Sequence, residues 1–274
     1  MSSPLHMFAV ALSLSFCSFM SYAASPDEIK GNGVVVIGAQ EDQYPWGFIN
    51  DKGQPDGHDI EVAKLIAKEL GVELQLVRIT AQNRIPMLLT HRIDFLVPGM
   101  SITPERAKVI QYTLPYSSNE VTVFAPGTSK ISSMEDLAGK TVGVARGSIF
   151  DTLLTQRAPS SATIRRFDDD ASTVQALASG QVEAILGSFT YGLALNAAAN
   201  GRFEDKFSVS DNYLAMAVRK EDAAMLDWLN AFVQRKKADG TLAGIYSKWM
   251  KGQLPTLPEQ MDGIAFTQRP AAVN

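Results

Sequence analysis

The stretch "RIDFLVPGMSITPERAK", residues 92–108, places a short apolar run directly before the start of a helix. The run "IDFLVPG" predicts a buried strand. Thr103 is a good N-cap because its hydroxyl can accept a backbone N–H, and Pro104 suits the first helical position. Arg106 then falls in the first turn, where the helix dipole favours anions rather than cations. A positive charge beside free N–H groups therefore suggests that an external anion is bound here.

The same alternation of strand and helix continues on both sides of this stretch. "GVVVIGAQ" and "VELQLV" predict strands, and "IEVAKLIAKEL" between them has apolar residues at helical spacing, with Asp59 as its expected cap. The rhythm restarts at "TVGVA", followed by the helix "IFDTLLTQR" and the strand "VEAILGS". Because this order is typical of parallel strands with helical crossovers, we predict an α/β fold with two lobes. Ligands then bind beyond the carboxyl ends of the strands.

The composition excludes several classes of protein. The 274 residues carry a formal net charge of -4, which argues against nucleic acid as a partner. Cys17 is the sole cysteine, and it lies in the N-terminal segment. Removal of that segment would exclude disulfides, thiol catalysis and cysteine-ligated metals. We expect no metal, no cofactor and no nucleic-acid partner.

The first residues have the pattern of an export signal. "MFAVALSLSFCSFM" is too short to span a bilayer comfortably, and the small residues Ser21 and Ala23 predict cleavage before Ala24. "MSSPLH" lacks the usual positive charge, so a retained membrane anchor is the alternative. We predict a signal peptide over residues 1–23 and a periplasmic location.

Two strand-to-helix turns, one in each predicted lobe, have the donors of an anion site. Ser148 can cap its helix with Asp151 reaching back, and free N–H groups at such a turn bind anions. Arg106, with the Ser101 hydroxyl nearby, offers a guanidinium that suits a carboxylate bidentately. The structural alternatives are a simple capped helix for Ser148 and an exposed ion pair with Glu105 for Arg106.

The chain resembles the bacterial extracellular solute-binding proteins of family 3, which serve polar amino-acid ABC importers. The resemblance runs from about Val34 to Met250 and rests on the collinear order of its pieces. These include "YPWGFINDKGQPDGHDIEVAKLIAKELGV", "RIDFLVPGMSITPERAK", "SMEDLAGKTVGVARGS", "VQALASGQVEAILGS" and "ADGTLAGIYSKWM".

The family implies a type II periplasmic-binding-protein-like fold, in which each lobe is a mostly parallel sheet flanked by helices. Two hinge strands join the lobes, near Val121–Phe124 and Asn212–Ala215. We expect a discontinuous first lobe (24–122 and 214–251), a second lobe (123–213) and a loosely packed C-terminal tail (252–274).

The resemblance also implies a set of ligand contacts. By position, Arg106 matches the residue that clamps the ligand carboxylate, Ser101 the hydroxyl beside it, and Gly99 a backbone contact. Ser148 matches the carboxylate contact of the second lobe. Trp46 lies in the loop that covers the ligand side chain, although packing in a turn explains it equally well. Gln43 in the same loop is a further expected contact.

The chain departs from the family pattern at three places, one of which is Pro98–Gly99, where the family has a serine-rich loop before the helix. Ser188 follows "VEAILG", where family members that bind α-amino acids usually have an aspartate that pairs with the ligand ammonium. His58 replaces a phenylalanine, and either touches the ligand or is a structural loop residue. The missing charge has four candidate sources, Glu41, Asp42, Asp59 and Glu183. "FDDD", residues 167–170, lacks the spacing of a calcium loop and is expected to be a solvated turn that caps the next helix.

The leading functional hypothesis is a monomeric periplasmic receptor that is not an enzyme. It would capture an amino acid or related small carboxylate by hinge closure and deliver it to an inner-membrane ABC permease. The alternative is a periplasmic dehydratase of the cyclohexadienyl type on the same scaffold. A sensor module of a larger receptor or lytic transglycosylase is a third, weaker hypothesis.

Overall fold

The computed structural model describes residues 24–199 and 201–267. The expected signal peptide lies outside the described residues. The strands are β1 (Val34–Gln40), β2 (Asp42–Gln43), β3 (Gly47–Ile49), β4 (Pro55–Asp56), β5 (Glu73–Ile79), β6 (Phe95–Ser101), β7 (Gln111–Pro126), β8 (Thr141–Ala145), β9 (Thr163–Phe167), β10 (Ala184–Ser188) and β11 (Phe203–Val218). The helices are α1 (Pro26–Asn32), α2 (His58–Leu70), α3 (Arg84–Leu89), α4 (Pro104–Ala107), α5 (Ile149–Arg157), α6 (Asp170–Ala178), α7 (Tyr191–Ala199), α8 (Ala223–Ala238) and α9 (Thr241–Met250).

Eight strands form one mixed sheet in the order β5-β1-β6-β11-β7-β10-β8-β9. The three strands at each end are parallel to one another, as the alternation of strand and helix predicts. The long strands β7 and β11 run antiparallel through the middle, with Glu120 opposite Asp211. They join two α/β units, which confirms the predicted fold class.

Three groups of buried side chains lie on the two sides of this junction, two of them in the first lobe and one in the second. The first lobe packs α2, α8 and α9 on its strands, with Phe95, Leu229 and Phe232 fully buried. The second lobe has its own core around Phe124, Leu154 and the strand β10. Because each lobe has its own core, one can rotate against the other without exposing either core.

Three local features differ from the sequence-based expectations. Helix α2 begins at His58 with Gly57 as its N-cap, so Asp59 lies inside the first turn and does not cap the helix. Residues of β2, β3 and β4 form a small antiparallel sheet in a segment expected to be a loop. Helix α1 precedes β1, capped by the Ser25 side chain.

The C-terminal segment contacts the first lobe at a few points as far as residue 267. Leu257 and Phe266 are buried, and the Phe266 carbonyl accepts a hydrogen bond from the Asn230 side chain at 2.6 Å. The other side chains of residues 252–267 are exposed or half-buried, so only these two depart from the loose packing expected of the tail. No helix in the described ranges is long and apolar enough to cross a membrane.

Candidate functional site

A narrow cavity lies between the lobes at the carboxyl ends of β1, β6 and β8, where parallel α/β sheets place their ligands. Five of the eight predicted contact residues line it, namely Gln43, Trp46, Gly99, Ser101 and Ser148. Sequence reasoning did not single out four other polar residues that also line it, Gln40, Arg84, Asn119 and Asp170.

Arg106 lies at one end of the cavity, beside the residues that line it. Thr103 caps α4 by accepting the Arg106 backbone N–H at 3.3 Å, as the sequence predicts. The guanidinium donates from Nη1 to the Ser101 carbonyl at 2.9 Å and from Nη2 across the lobe boundary to the Gly147 carbonyl at 3.3 Å. Burial lowers the pKa of this guanidinium. The charge is therefore held between the two predicted anion-binding turns.

The second turn presents the start of α5 to the same end of the cavity. Ser148 accepts the Asp151 backbone N–H at 3.1 Å and donates to the Ala145 carbonyl at 2.6 Å. Asp151 in turn accepts the Gly147 N–H at 3.1 Å. Gly147 has a φ of +72°, which favours glycine, and a Cβ there would lie 3.2 Å from Gln82 Cα in the other lobe. Glycine thus permits the close approach of the two lobes.

Trp46 closes one side of the cavity and connects the lobes. Its indole N–H donates to the Ser188 hydroxyl at 3.2 Å, and that hydroxyl donates to Asn119 Oδ1 at 2.6 Å. Ser188 Oγ also lies 2.8 Å from the Thr190 hydroxyl. Ser188 is fully buried beside Trp46 and does not line the cavity, so its side chain serves the contact between lobes.

His58 is a packing residue behind Trp46. Its ring is fully buried, with its centroid 5.1 Å from the Trp46 ring and 5.8 Å from the Tyr116 ring. Nδ1 lies 2.8 Å from Asp59 Oδ1, which also accepts the Tyr116 hydroxyl at 2.8 Å. The expectation of a direct ligand contact is not met, because Trp46 stands between this ring and the cavity.

Two carboxylates meet across the lobe boundary at the other end of the cavity. Asp42 Oδ2 accepts the Asp170 backbone N–H at 2.9 Å, and Asp170 Oδ2 accepts the Gln40 side-chain N–H at 2.9 Å. The Tyr191 hydroxyl donates to Asp170 Oδ1. Burial, reinforced by the Asp42 charge, raises the pKa of Asp170 to about 7. Burial likewise raises the pKa of Asp42.

Asp170 corrects the interpretation of "FDDD" as a solvated turn. Asp169 provides the cap of α6, accepting the Ser172 N–H at 2.8 Å, whereas Asp170 is 3% exposed. Asp170 is buried together with Thr173 and Leu177. This i, i+3, i+7 spacing defines one helix face, and that spacing was the sequence signal for its burial.

Arg84 adds a buried cation near this acidic pair. Its side chain is directed from the first turn of α3 into the cavity and donates from Nη1 to Gln40 Oε1 and to the Pro98 carbonyl, each at 3.4 Å. Burial lowers the pKa of Arg84 to about 9. Leu88 is buried four residues later, so helical spacing would have placed Arg84 on the inward face.

The other carboxylates considered for the missing counter-charge lie elsewhere. Asp59 is engaged with His58 and Tyr116 behind Trp46. Glu183 accepts the Thr141 N–H and pairs with Lys140 on an exposed surface. Glu41 does not line the cavity, although its neighbour Asp42 touches Asp170. The described part of the chain contains no group of three or more His, Cys, Asp or Glu side chains that could hold a metal ion.

Fold and cavity together define a two-lobed receptor for a small solute, and comparison with known proteins gives its family. Residues 35–252 match the model of the bacterial extracellular solute-binding proteins, family 3. The chain belongs to this family. The ABC transporter glutamine-binding protein GlnH of Bacillus subtilis (strain 168) is 34% identical over 230 residues, which cover 81% of this chain and 83% of that protein.

Solved structures give the same result. A mutant of ArgBP from T. maritima has a TM-score of 0.77 at 31% identity, over 83% of this chain and 99% of the other. AncCDT-1, an ancestral amino acid-binding protein described as a precursor of cyclohexadienyl dehydratase, has a TM-score of 0.74 at 34% identity. That match covers 82% of this chain and 98% of the other. The named relatives are binding proteins, and the family is extracellular.

Proposed function

We propose that the protein captures an amino acid between its lobes and delivers it to an ABC-type permease. The observation that carries this proposal is the position of Arg106, whose guanidinium reaches the Gly147 carbonyl of the opposite lobe. In this proposal a ligand carboxylate takes the place of the Gly147 carbonyl on the guanidinium, accepting charge-assisted hydrogen bonds from one lobe and backbone N–H groups at the capped start of α5 from the other. The relatives that bind amino acids support this ligand class.

Closure of the lobes is the proposed mechanism. The ligand favours the closed arrangement because it contacts both lobes only when they meet. In this proposal residues 24–122 with 214–251 move against residues 123–213, about β7 and β11. Trp46, Gln43, Gly99 and Ser101 form the first-lobe wall, and Ser148 is the second-lobe contact. Export by the leader 1–23, cleaved before Ala24, and action as a monomer in the periplasm complete the proposal.

A dehydratase of the cyclohexadienyl type is the second candidate. The observation that favours it is the Asp42–Asp170 pair, because a carboxyl group whose pKa is raised to about 7 suits general acid catalysis. The relationship to AncCDT-1 fits binding better, since that protein is itself described as amino acid-binding. Incubation of the purified protein with prephenate or arogenate separates the two, and turnover would establish the enzyme.

A thermal-shift screen of the twenty amino acids and small carboxylates tests the leading proposal. An amino acid present at 100 times its dissociation constant stabilises the folded protein by about 2.7 kcal/mol. We expect at least one amino acid to raise the melting temperature of the protein and to lose that effect in the Arg106→Ala variant. A screen in which no amino acid shifts the melting temperature would contradict the proposal.

A further inference from the structure

We propose that Asp170, supported by Asp42, binds the ammonium group of the ligand. In family members that bind α-amino acids an aspartate usually does so from the position that Ser188 occupies here. This inference rests on the proposed function and assigns the cation-binding end of the same cavity. It differs from the family arrangement, because the charge comes from the first turn of α6 and not from the end of β10.

The hydrogen bonds of Asp170 leave its charge without a cation in direct contact. Both oxygens accept from neutral groups, the Gln40 amide and the Tyr191 hydroxyl. Asp42 Oδ1 is buried and has no hydrogen-bond partner in the described part of the chain. Carboxylates removed from water gain strongly from a cation that enters their site, because the low dielectric constant strengthens the attraction.

The charged groups beside the cavity are arranged in a way that suits a zwitterion. Arg106 lies at the two helix starts, and Asp170 lines the cavity where it meets Asp42, with Arg84 near this acidic pair. A zwitterion with its carboxylate towards Arg106 and its ammonium towards Asp170 matches both ends.

Ser188 itself cannot supply the contact in this arrangement. Its hydroxyl is occupied by Trp46 and Asn119, and it is fully buried outside the cavity. Ser188, at the position where the family usually has its counter-charge, therefore contributes to the contact between the lobes. Among the described residues of the second lobe, Asp170 is the carboxylate that faces the cavity.

The test compares an amino acid with the same molecule lacking its ammonium group. The probe is the amino acid selected by the thermal-shift screen. If it is L-glutamine, the matched analogue is glutaramate. In Asp170→Asn we expect calorimetry to show affinity for the amino acid reduced at least tenfold and affinity for the analogue unchanged. Glu183→Gln, which removes an exposed carboxylate of the same lobe, is the matched control and leaves both affinities unchanged.

A role in holding the lobes together would give a different result. Loss of the Gln40–Asp170 contact would then reduce the affinities for the amino acid and for its analogue equally, and this result would overturn the inference. If the Asp170→Asn variant does not fold, the Asp42→Asn variant is used in the same assay. We then expect a smaller loss of affinity that again affects the amino acid and not its analogue. If the wild-type protein binds no amino acid at all, the result contradicts the proposed function and not only this inference.

A second observation concerns the first described residue. The Ala24 backbone N donates to Asp222 Oδ1 at 2.8 Å, and Ala24 is 5% exposed. Asp222 pairs with the Arg219 guanidinium at 2.9 Å, both side chains being buried. Asp94 lies near the same guanidinium, whose charge opposes the rise that burial causes in the pKa of Asp94. We infer that cleavage before Ala24 places the new α-ammonium on Asp222, which balances the charges of this cluster.

Mass spectrometry of the exported protein tests the position of cleavage, with a chain starting at Ala24 expected. The melting temperature of that chain is then compared with that of a chain extended by Gly-Gly before Ala24, in both wild-type and Asp222→Asn backgrounds. We expect the extension to lower the melting temperature in the wild type and to have a smaller effect in Asp222→Asn. A mature chain that starts elsewhere, or an equal effect in both backgrounds, would overturn the inference.

Discussion

The two ends of the cavity are built in different ways. The carboxylate end consists of two helix starts, where Thr103 and Ser148 cap α4 and α5 and Arg106 lies within one of the first turns. The opposite end is assembled from side chains of separate segments, with Asp42 on β2 of the small sheet and Asp170 on α6. Local backbone chemistry thus defines the first end, whereas tertiary contacts create the second.

Removal of Arg106 should have the largest effect on ligand binding. Charge-assisted hydrogen bonds contribute roughly 1.5–3 kcal/mol each, so two of them to one carboxylate are worth at least about 100-fold in affinity. We expect calorimetry of Arg106→Ala to show an amino-acid affinity about 100-fold weaker, with Arg106→Lys intermediate because a lysine binds as a point charge. Unchanged affinity in Arg106→Ala would remove this residue from the site.

The pH dependence of binding distinguishes the two ends. Asp170 has a raised pKa of about 7 and faces Asp42, Tyr191 and Arg84, while Arg106 keeps its charge throughout this range. Because the ammonium needs the ionised carboxylate, we expect affinity for an amino acid to rise about tenfold from pH 6 to pH 8. Asp170→Asn should flatten this profile, and a profile that stays the same in the variant would contradict the assignment.

The same raised pKa predicts how the unliganded protein responds to pH. The folded protein holds the Asp170 proton more tightly than the unfolded chain does, so its contribution to stability is present at low pH. That contribution is lost as the pH rises from about 4 to 7. Urea unfolding of wild type and Asp170→Asn across this range is expected to show a smaller decrease in the free energy of unfolding for the variant.

The contact between Trp46 and Ser188 links the lobes without a charge. Trp46→Phe removes the indole donor to Ser188 while keeping most of the ring that packs on His58. Since a neutral hydrogen bond is worth about 0.5–1.5 kcal/mol, we expect a two- to tenfold loss of affinity, equal for an amino acid and its deaminated analogue. A selective loss for the amino acid would instead place Trp46 at the ammonium end.

The smallest effect is expected at the exposed rim. Arg78 of the first lobe lies 3.4 Å from Asp169 of the second, and the Arg78 side chain is 56% exposed. An exposed pair of this kind contributes about 0–1 kcal/mol and is screened by salt. Arg78→Ala should change affinity by less than about fivefold. Raising the salt concentration of the titration should remove even that difference.

The contrast between the ends explains what sequence could and could not predict. Thr103, Pro104 and Ser148 act within four residues of their partners, so their caps were visible in the sequence and are confirmed. The parallel strands and both lobes followed from periodicity in the same way. Asp170 and Gln40 are 130 positions apart, and only the packing of one lobe on the other brings them together.

The positions of His58 and Asp170 depend on packing that sequence alone does not give. His58 was considered as a contact because it replaces a phenylalanine of the family pattern, and its burial behind Trp46 depends on how α2 packs. Asp170 was placed in solvent because three consecutive aspartates resemble an exposed turn. Its helical spacing with Thr173 and Leu177 indicates instead that Asp170 lies on the buried face of α6.

Small-angle X-ray scattering with and without the selected amino acid tests the central claim most directly, because the claim is that one ligand bridges both lobes. We predict that the amino acid reduces the radius of gyration of the wild type, as closure of the lobes requires. Arg106→Ala should show no such reduction at the same concentration. If calorimetry shows that the protein binds the amino acid but its radius of gyration stays unchanged, the result would contradict closure of the lobes around the ligand.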